Sequence, residues 1–212
     1  MRNPIVNCLM LLFIVVVGCT KPQEETGLSD AQRDAGAKFA DQYELLMCPS
    51  TLNENCRRQI ENSLCSILIP DDWTQISPNH FQQSSSGEKL RTPEVIKVIE
   101  YPTAGGTLQT AIEHFAFTAR GYVENYQEQK RWSTKIDGHP AVAVLYEHTE
   151  ESWFPGQITS TKAFFTVKHD RYDRGQMKTV IISCTAPKES FNSLEPLFDE
   201  IACRTVLSDQ GT

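Results

Sequence analysis

The sequence predicts an α+β fold: a three-layer α-β-α sandwich with a mostly antiparallel sheet, preceded by an N-terminal helical segment. Three observations predict it. Several stretches rich in β-branched and aromatic residues read as strands, and short turns such as Asp137-Gly138 join most of them, which implies antiparallel pairing. Ala141 to Thr149 is apolar on both faces, with Val142, Val144 and Tyr146 on one and Ala141, Ala143 and Leu145 on the other. A sheet of that kind has to be covered on both sides. Two helical patterns are available to cover it, one at Thr107 to Asn125 and one near residues 188 to 202.

Taken in order, residues 1–18 read as a lipoprotein signal peptide. Arg2 gives a positive start, Ile5 to Val17 is apolar but for Asn7, and Val16-Val17-Gly18-Cys19 resembles a bacterial lipobox. The apolar run is shorter than the ~20 residues a membrane-spanning helix needs. Cys19 is then the lipidated mature N-terminus, and residues 19–27 form a polar tether. Residues 28–64 form the N-terminal helical segment. Ser29 and Gln32 make a capping box for a helix reaching Met47, with Ala35, Phe39, Tyr43 and Leu46 as its apolar stripe. Cys48-Pro49 ends it, because the residue before proline avoids the helical region. Leu52 to Leu64 reads as a second short helix.

Residues 65–207 form the main domain, and 208–212 a tail. Ser66 to Ile69 is a strand stopped by Pro70. Asp71-Asp72-Trp73 is a turn in which Trp73 plugs the core, and Pro78 to Arg91 is a loop. Glu94 to Tyr101 is a strand. Leu108, Ile112, Phe115, Ala119 and Tyr122 recur at spacings of a helix. Gln129 to Ile136 and Ala141 to Thr149 flank the Asp137-Gly138 turn. Pro155-Gly156 lies in another turn. Ser160 to His169 and Gln176 to Thr185 are strands around a turn at Asp170 to Gly175. Phe191, Leu194, Phe198 and Ile201 mark the terminal helix, where Pro196 predicts a kink or a restart.

Charge narrows the partners. The 212 residues carry 20 Lys+Arg against 27 Asp+Glu, a formal charge of −7. The signal holds one Arg and no acid, so the remainder carries 19 basic against 27 acidic residues, or −8. This argues against nucleic acid or an anionic bilayer as the main partner, since either would favour a basic surface.

Of seven cysteines, Cys8 leaves with the signal and Cys19 takes lipid, which leaves Cys48, Cys56, Cys65, Cys184 and Cys203. An exported chain meets an oxidising compartment, where disulfides form. Helical steps of ~1.5 Å would hold Cys56 and Cys65 ~13 Å apart, beyond disulfide reach. Cys48 with Cys56 or with Cys65 is the expected N-terminal pair. Cys184 with Cys203 is the expected second pair, unless one helix between them holds them apart. The odd count leaves at least one thiol free or paired between chains.

Residues from Ser66 onward carry a resemblance. Ser66-Ile67-Leu68-Ile69-Pro70 with Trp73, then Ile136-Asp137-Gly138-His139-Pro140-Ala141 entering a strand, then Phe191 through Pro196, Phe198 and Ile201, resembles the Mog1/PsbP-like fold. The DcrB-like bacterial lipoproteins are its nearest branch. Members of this fold mostly bind other proteins: a Ran-binding nuclear import factor, an extrinsic photosystem II subunit and chaperones of type VI secretion effectors. The DcrB-like branch is associated with phage sensitivity at the cell envelope. The resemblance brings no shared catalytic residues.

Motifs for chemistry are sparse. No His-Glu-x-x-His, no Cys-x-x-Cys and no Gly-x-Ser-x-Gly occurs, so no metal, no cofactor and no catalytic residue is expected. The five histidines, His80, His114, His139, His148 and His169, read as solvated or satisfied side chains. Gly105-Gly106 reads as a strand-to-helix link. Trp153 and Phe154, in a hairpin loop, are the expected partner-binding residues, because aromatics on loops are enriched at interfaces. The sequence therefore predicts a non-enzymatic envelope lipoprotein that binds an envelope protein and is held to the membrane through the lipid on Cys19. A carrier of a lipid or other apolar ligand is the alternative. Thr20 after the lipidated cysteine points to the periplasmic face of the outer membrane if the cell is Gram-negative.

Overall fold

The computed structural model describes residues 37–48, 58–61, 64–83, 93–103, 106–150, 156–169 and 177–208. Among these the chain forms β1 (Glu44–Leu45), β2 (Arg58–Glu61), β3 (Cys65–Ile69), β4 (Trp73–Ser77), β5 (His80–Gln83) and β6 (Val95–Pro102). Helix α1 (Leu108–Tyr122) follows, then β7 (Glu124–Ile136), β8 (His139–Glu150), β9 (Gln157–His169) and β10 (Met177–Pro187). Helix α2 (Lys188–Arg204) and β11 (Val206–Leu207) end the fold.

Eight strands make one sheet in the order β1-β7-β8-β9-β10-β6-β5-β4, and β11-β3-β2 make a second. Every pairing is antiparallel except β1 with β7. The two-residue turn between β7 and β8 shows why the hairpin forms there. Asp137 and Gly138 both have positive φ, 50° and 76°, as a type I′ turn demands, and Gly138 meets that demand without a side chain to clash. The Asp137 carboxylate also accepts a hydrogen bond from the Leu207 amide at 3.1 Å, tying the turn to β11.

The two-sided apolar pattern expected for Ala141 to Thr149 is realised. Val142, Val144 and Tyr146 pack in one cluster with Ala163, Phe165 and Ile181, beneath Leu108 and Ile112 of α1. Ala141 and Ala143 pack in the other with Phe164, Val180, Ile182 and Cys184, against Phe191, Phe198 and Ile201 of α2. The second layer is mixed. Cys65, Ile67 and Ile69 of β3 and Leu207 of β11 join that same cluster, so the small sheet shares the face with α2. Trp73 is buried there as expected, edge-on to Phe198 with ring centroids 6.4 Å apart. At the start of α1, Thr107 and Thr110 form a capping box, and the Tyr101 hydroxyl donates to the Ala111 carbonyl at 3.3 Å. Burial pushes the Tyr101 hydroxyl up to about 12, so it stays protonated as a donor.

Several expectations are corrected. The helix predicted to run to Met47 shows only one described turn at residues 37–40, and Glu44–Leu45 is strand β1. The edge of β7 offers unpaired backbone groups, and satisfying them outweighs helix propensity here. Glu44 and Leu45 pair with Trp132 and Ser133, the Leu46 amide donates to the Ser133 carbonyl at 2.8 Å, and Ser133 Oγ donates to the Tyr43 carbonyl. The second predicted helix also gives way: Arg58–Glu61 pairs with β3 as β2, while residues 52–57 lie outside the described residues. Trp73 opens a strand, and His80 to Gln83, expected as loop, is β5. Helix α2 runs as one element through Pro196, which is exposed, so its missing amide faces the solvent side.

The disulfide pairing is corrected too. Cys48 bonds Cys203 across 155 residues, with Cα atoms 6.0 Å apart. Cys65 and Cys184 are buried and take no part in this bridge, and Cys56 lies outside the described residues. Once β1 lies along β7, Cys48 arrives at the C-terminal end of α2. Local spacing could not show that long-range meeting. Replacing Cys48 and Cys203 with serine is expected to cost about 2–5 kcal/mol in urea denaturation, because the open chain regains the entropy that the bridge removes. Reductant should lower the wild type by the same amount and leave the double variant unchanged.

Candidate functional site

The residues expected to take lipid or a partner fall outside the described structure. Cys19, Trp153 and Phe154 lie outside the described residues. Among the described residues, no group of three or more His, Cys, Asp or Glu could hold a metal ion. The described histidines are scattered: His114 is exposed on α1, His148 packs beside Tyr146 with centroids 5.8 Å apart, and His80 lies on β5.

One buried charge cluster was not anticipated. Lys162, 1% exposed on β9, places its ammonium 2.8 Å from Glu195 and 2.6 Å from Asp199, both on α2. The same ammonium lies 4.3 Å from the centroid of the Trp132 ring. One cation faces two carboxylates, so the cluster is electrostatically uneven. Burial pushes the Asp199 carboxyl above its ordinary range; Lys162 pulls it down and Glu195 pushes it up again. Beside it, burial and then Asp199 push the Cys184 thiol up, which makes it a poor nucleophile. The cluster fixes how α2 lies on the sheet. A faint signal for it existed in the sequence: Lys162 in register with the inward Phe164 on a strand, with Glu195 and Asp199 four residues apart on one helical face.

A second place is the uncovered part of the large sheet. Helix α1 covers Val142, Val144, Ala163, Phe165 and Ile181. The paired rows continue past it. Ala163 aligns with Ser183, Ser183 with Lys97, Lys97 with His80, and His80 with Ser77. One row further, Thr161 aligns with Thr185, then Val95, Gln82 and Thr74. On this side Lys97, Thr74, Ser77 and Ile99 are exposed, and His80, Gln82 and Val95 are half-buried. The reverse side of the same strands is closed by Trp73, Phe81, Ile96 and Val98 in the core. At the outer edge Ile76, the extra residue of a β-bulge, is 56% exposed. Among the described residues of this open half-sheet none is acidic, in a chain of charge −7. Burial, with the Lys97 charge opposite, lowers the His80 pKa, so the imidazole is neutral at pH 7.

A third feature is a cleft of about 440 Å³ on the outer face of the small sheet. Gln59, Ser66 and Leu68 form its floor, and Asp137, Cys203 and Arg204 its walls. Arg204 is partly engaged by Glu200 at 3.4 Å.

No protein-family profile matches the chain, and no curated protein matches it in sequence. Solved structures do match in fold. LpqN, involved in cell envelope biogenesis in Mycobacterium tuberculosis, is similar at 12% identity and a TM-score of 0.53, over 68% of this chain and 83% of that one. A protein of unknown function from Pseudomonas aeruginosa is similar at 21% identity and TM-score 0.48, over 69% and 92%. Cyanobacterial PsbP from Synechocystis sp. PCC 6803 is similar at 13% identity and TM-score 0.45, over 77% and 99%. With LpqN the chain shares a fold, and at this identity the likeness speaks for the fold alone.

Two outcomes are expected. Lys162→Met leaves two partly buried carboxylates without their cation and should destabilise the fold in urea denaturation, by less than the ~3–5 kcal/mol of a fully buried pair. Adding Glu195→Gln and Asp199→Leu should recover most of the loss. In NMR titration His80 should protonate below the ordinary 6.5, and Lys97→Met should move it upward by removing the opposing charge.

Proposed function

We propose that this chain is a DcrB-like envelope lipoprotein of the Mog1/PsbP-like kind, anchored through the lipid on Cys19. Its domain binds another envelope protein and carries out no reaction of its own. The observation that carries the reading is the open half-sheet, a surface without acidic side chains that ends in the exposed Ile99 and Ile76. Antiparallel sheets tolerate a bare face, so bareness alone assigns nothing. The exclusion of acidic residues from this area, in so acidic a chain, marks it out as a surface for a partner. Trp153 and Phe154, between β8 and β9, remain candidates for a second contact. The envelope-biogenesis role stated for LpqN is compatible with this reading, as is the fact that no helix among the described residues is long and apolar enough to cross a membrane.

The alternative, a carrier of an apolar ligand, has less in its favour. Interlocked rings fill the interface of α1 with the sheet, with Phe115 5.0 Å from Phe165 and 5.8 Å from Tyr146. Lys162 and its two carboxylates occupy part of the interface of α2 with the sheet. The cleft near Cys203 is lined largely by polar residues.

A photocrosslinking residue placed at position 97 or 99 in cells tests the proposal. A discrete protein adduct is expected there, with none from Gln59 on the far face. Lys97→Glu with Ile99→Asp should abolish the partner's capture, and Trp153→Ala with Phe154→Ala should weaken it if the loop takes part. Positions 97 and 99 giving no discrete adduct would sink the reading.

A further inference from the structure

We propose that the Cys48–Cys203 bridge is a reducible clasp: a protein dithiol of the Cys-x-x-Cys kind reaches Cys203 through the adjoining cleft, opens the bridge and frees strand β1. The partner surface proposed above is not needed for it. The bridge lies at the surface, with Cys48 exposed and Cys203 half-buried. Exposed bridges are the labile ones in thiol–disulfide exchange. Cys203 lines the cleft of about 440 Å³, whereas Cys48 does not, so a thiolate entering the cleft meets Cys203. Arg204 and Asp137 are the charged residues of the cleft and cancel each other, and the Asp137 carboxylate already accepts from the Leu207 amide. An incoming thiolate is therefore not repelled. Leu68 and Val206 offer apolar contact to the peptide around it.

The helix sets the direction of attack. Cys203 stands in the last turn of α2, where the carbonyl ends disfavour a negative sulfur. Cys48 stands on an exposed strand end, where water solvates its thiolate. The better leaving group is Cys48. The reductant's first thiolate attacks Cys203 Sγ, a mixed disulfide forms there, and the electron pair of the broken bond leaves on Cys48, which takes a proton from water. The reductant's second thiolate then attacks its own sulfur in the mixed disulfide and expels Cys203. The bridge gains two electrons, and the dithiol is oxidised to a disulfide.

Little else holds β1. It makes two residue pairs with β7, and the Leu46 amide adds one bond to the Ser133 carbonyl at 2.8 Å. Glu44 meets Lys130 at 2.7 Å, with both side chains largely in water, where such pairs contribute little. Leu45 and Met47 are 62% and 78% exposed and bury little apolar surface. Upstream, Ala40 is buried beneath α1 with Phe39 and Tyr43 packed beside it. Opening the bridge thus loosens residues 44–48 and leaves the segment before them in place. The β7 backbone at Trp132 and Ser133 is then uncovered, an edge that another strand can join.

The test incubates the oxidised full-length chain with thioredoxin whose second active-site cysteine is changed to serine, which traps the mixed disulfide. Peptide mass spectrometry should place the adduct on Cys203, with Cys48 open to alkylation. Its rate should rise with thioredoxin concentration and stay flat in urea below the unfolding transition. Val206→Trp, which narrows the cleft, should slow it several-fold. Once wild-type thioredoxin has reduced the chain, the Leu46 amide should exchange with deuterium at least tenfold faster, and the Val144 amide at its former rate. An adduct chiefly on Cys48, or a rate that climbs steeply with urea because the bridge opens only on global unfolding, overturns the proposal. So does an unchanged Leu46 amide in the reduced chain.

Discussion

Strands β8, β9 and β10 carry apolar side chains on both faces, and the rest of the fold is arranged to cover them. On one face the small and medium residues Val142, Val144, Ala163 and Ile181 accept α1. On the other, Ala141, Ala143, Phe164 and Ile182 accept α2 and the small sheet. Burial of this kind supplies most of the favourable term in folding, and it leaves little freedom in where the helices lie. The same constraint lapses toward β6, β5 and β4. There only one face is apolar, and the other is left bare. The candidate partner surface is thus the place where the covering requirement stops.

Two long-range devices fix what burial alone leaves adjustable. Lys162 is a buried cation on β9, and its pairing with Glu195 and Asp199 ties α2 to the sheet. A buried pair of this kind adds little net stability, yet a misplaced helix would leave three charges uncompensated. The Cys48–Cys203 bridge then holds the short parallel strand β1 to the far end of that same helix. Residues 44–48 therefore join a part of the molecule that is held at both α2 and β7.

How much of this was legible in the sequence depended on how local each signal was. The central hairpin could be read because Asp137-Gly138 and the alternation of Ala141 to Thr149 are local and strong. Both covering helices could be read from their apolar spacing. Residues 44–45 and 58–61 could not, because each becomes strand only by pairing with a distant edge, and such pairing overrides local propensity. The disulfide was misread for the same reason, since the neighbour of Cys48 lies 155 residues away. The open half-sheet was missed because a bare face is defined by what fails to pack on it.

In the proposed function, the face formed by β4, β5 and β6 is closed by a protein partner in the envelope. Hydroxyl-radical footprinting of the chain in intact envelopes, compared with the purified chain, measures this side chain by side chain. Ile76, His80 and Ile99 are expected to be labelled in the purified chain and protected in the envelope, while Val206 on the opposite face is labelled equally in both. Equal labelling of Ile76, His80 and Ile99 in the two states would contradict it.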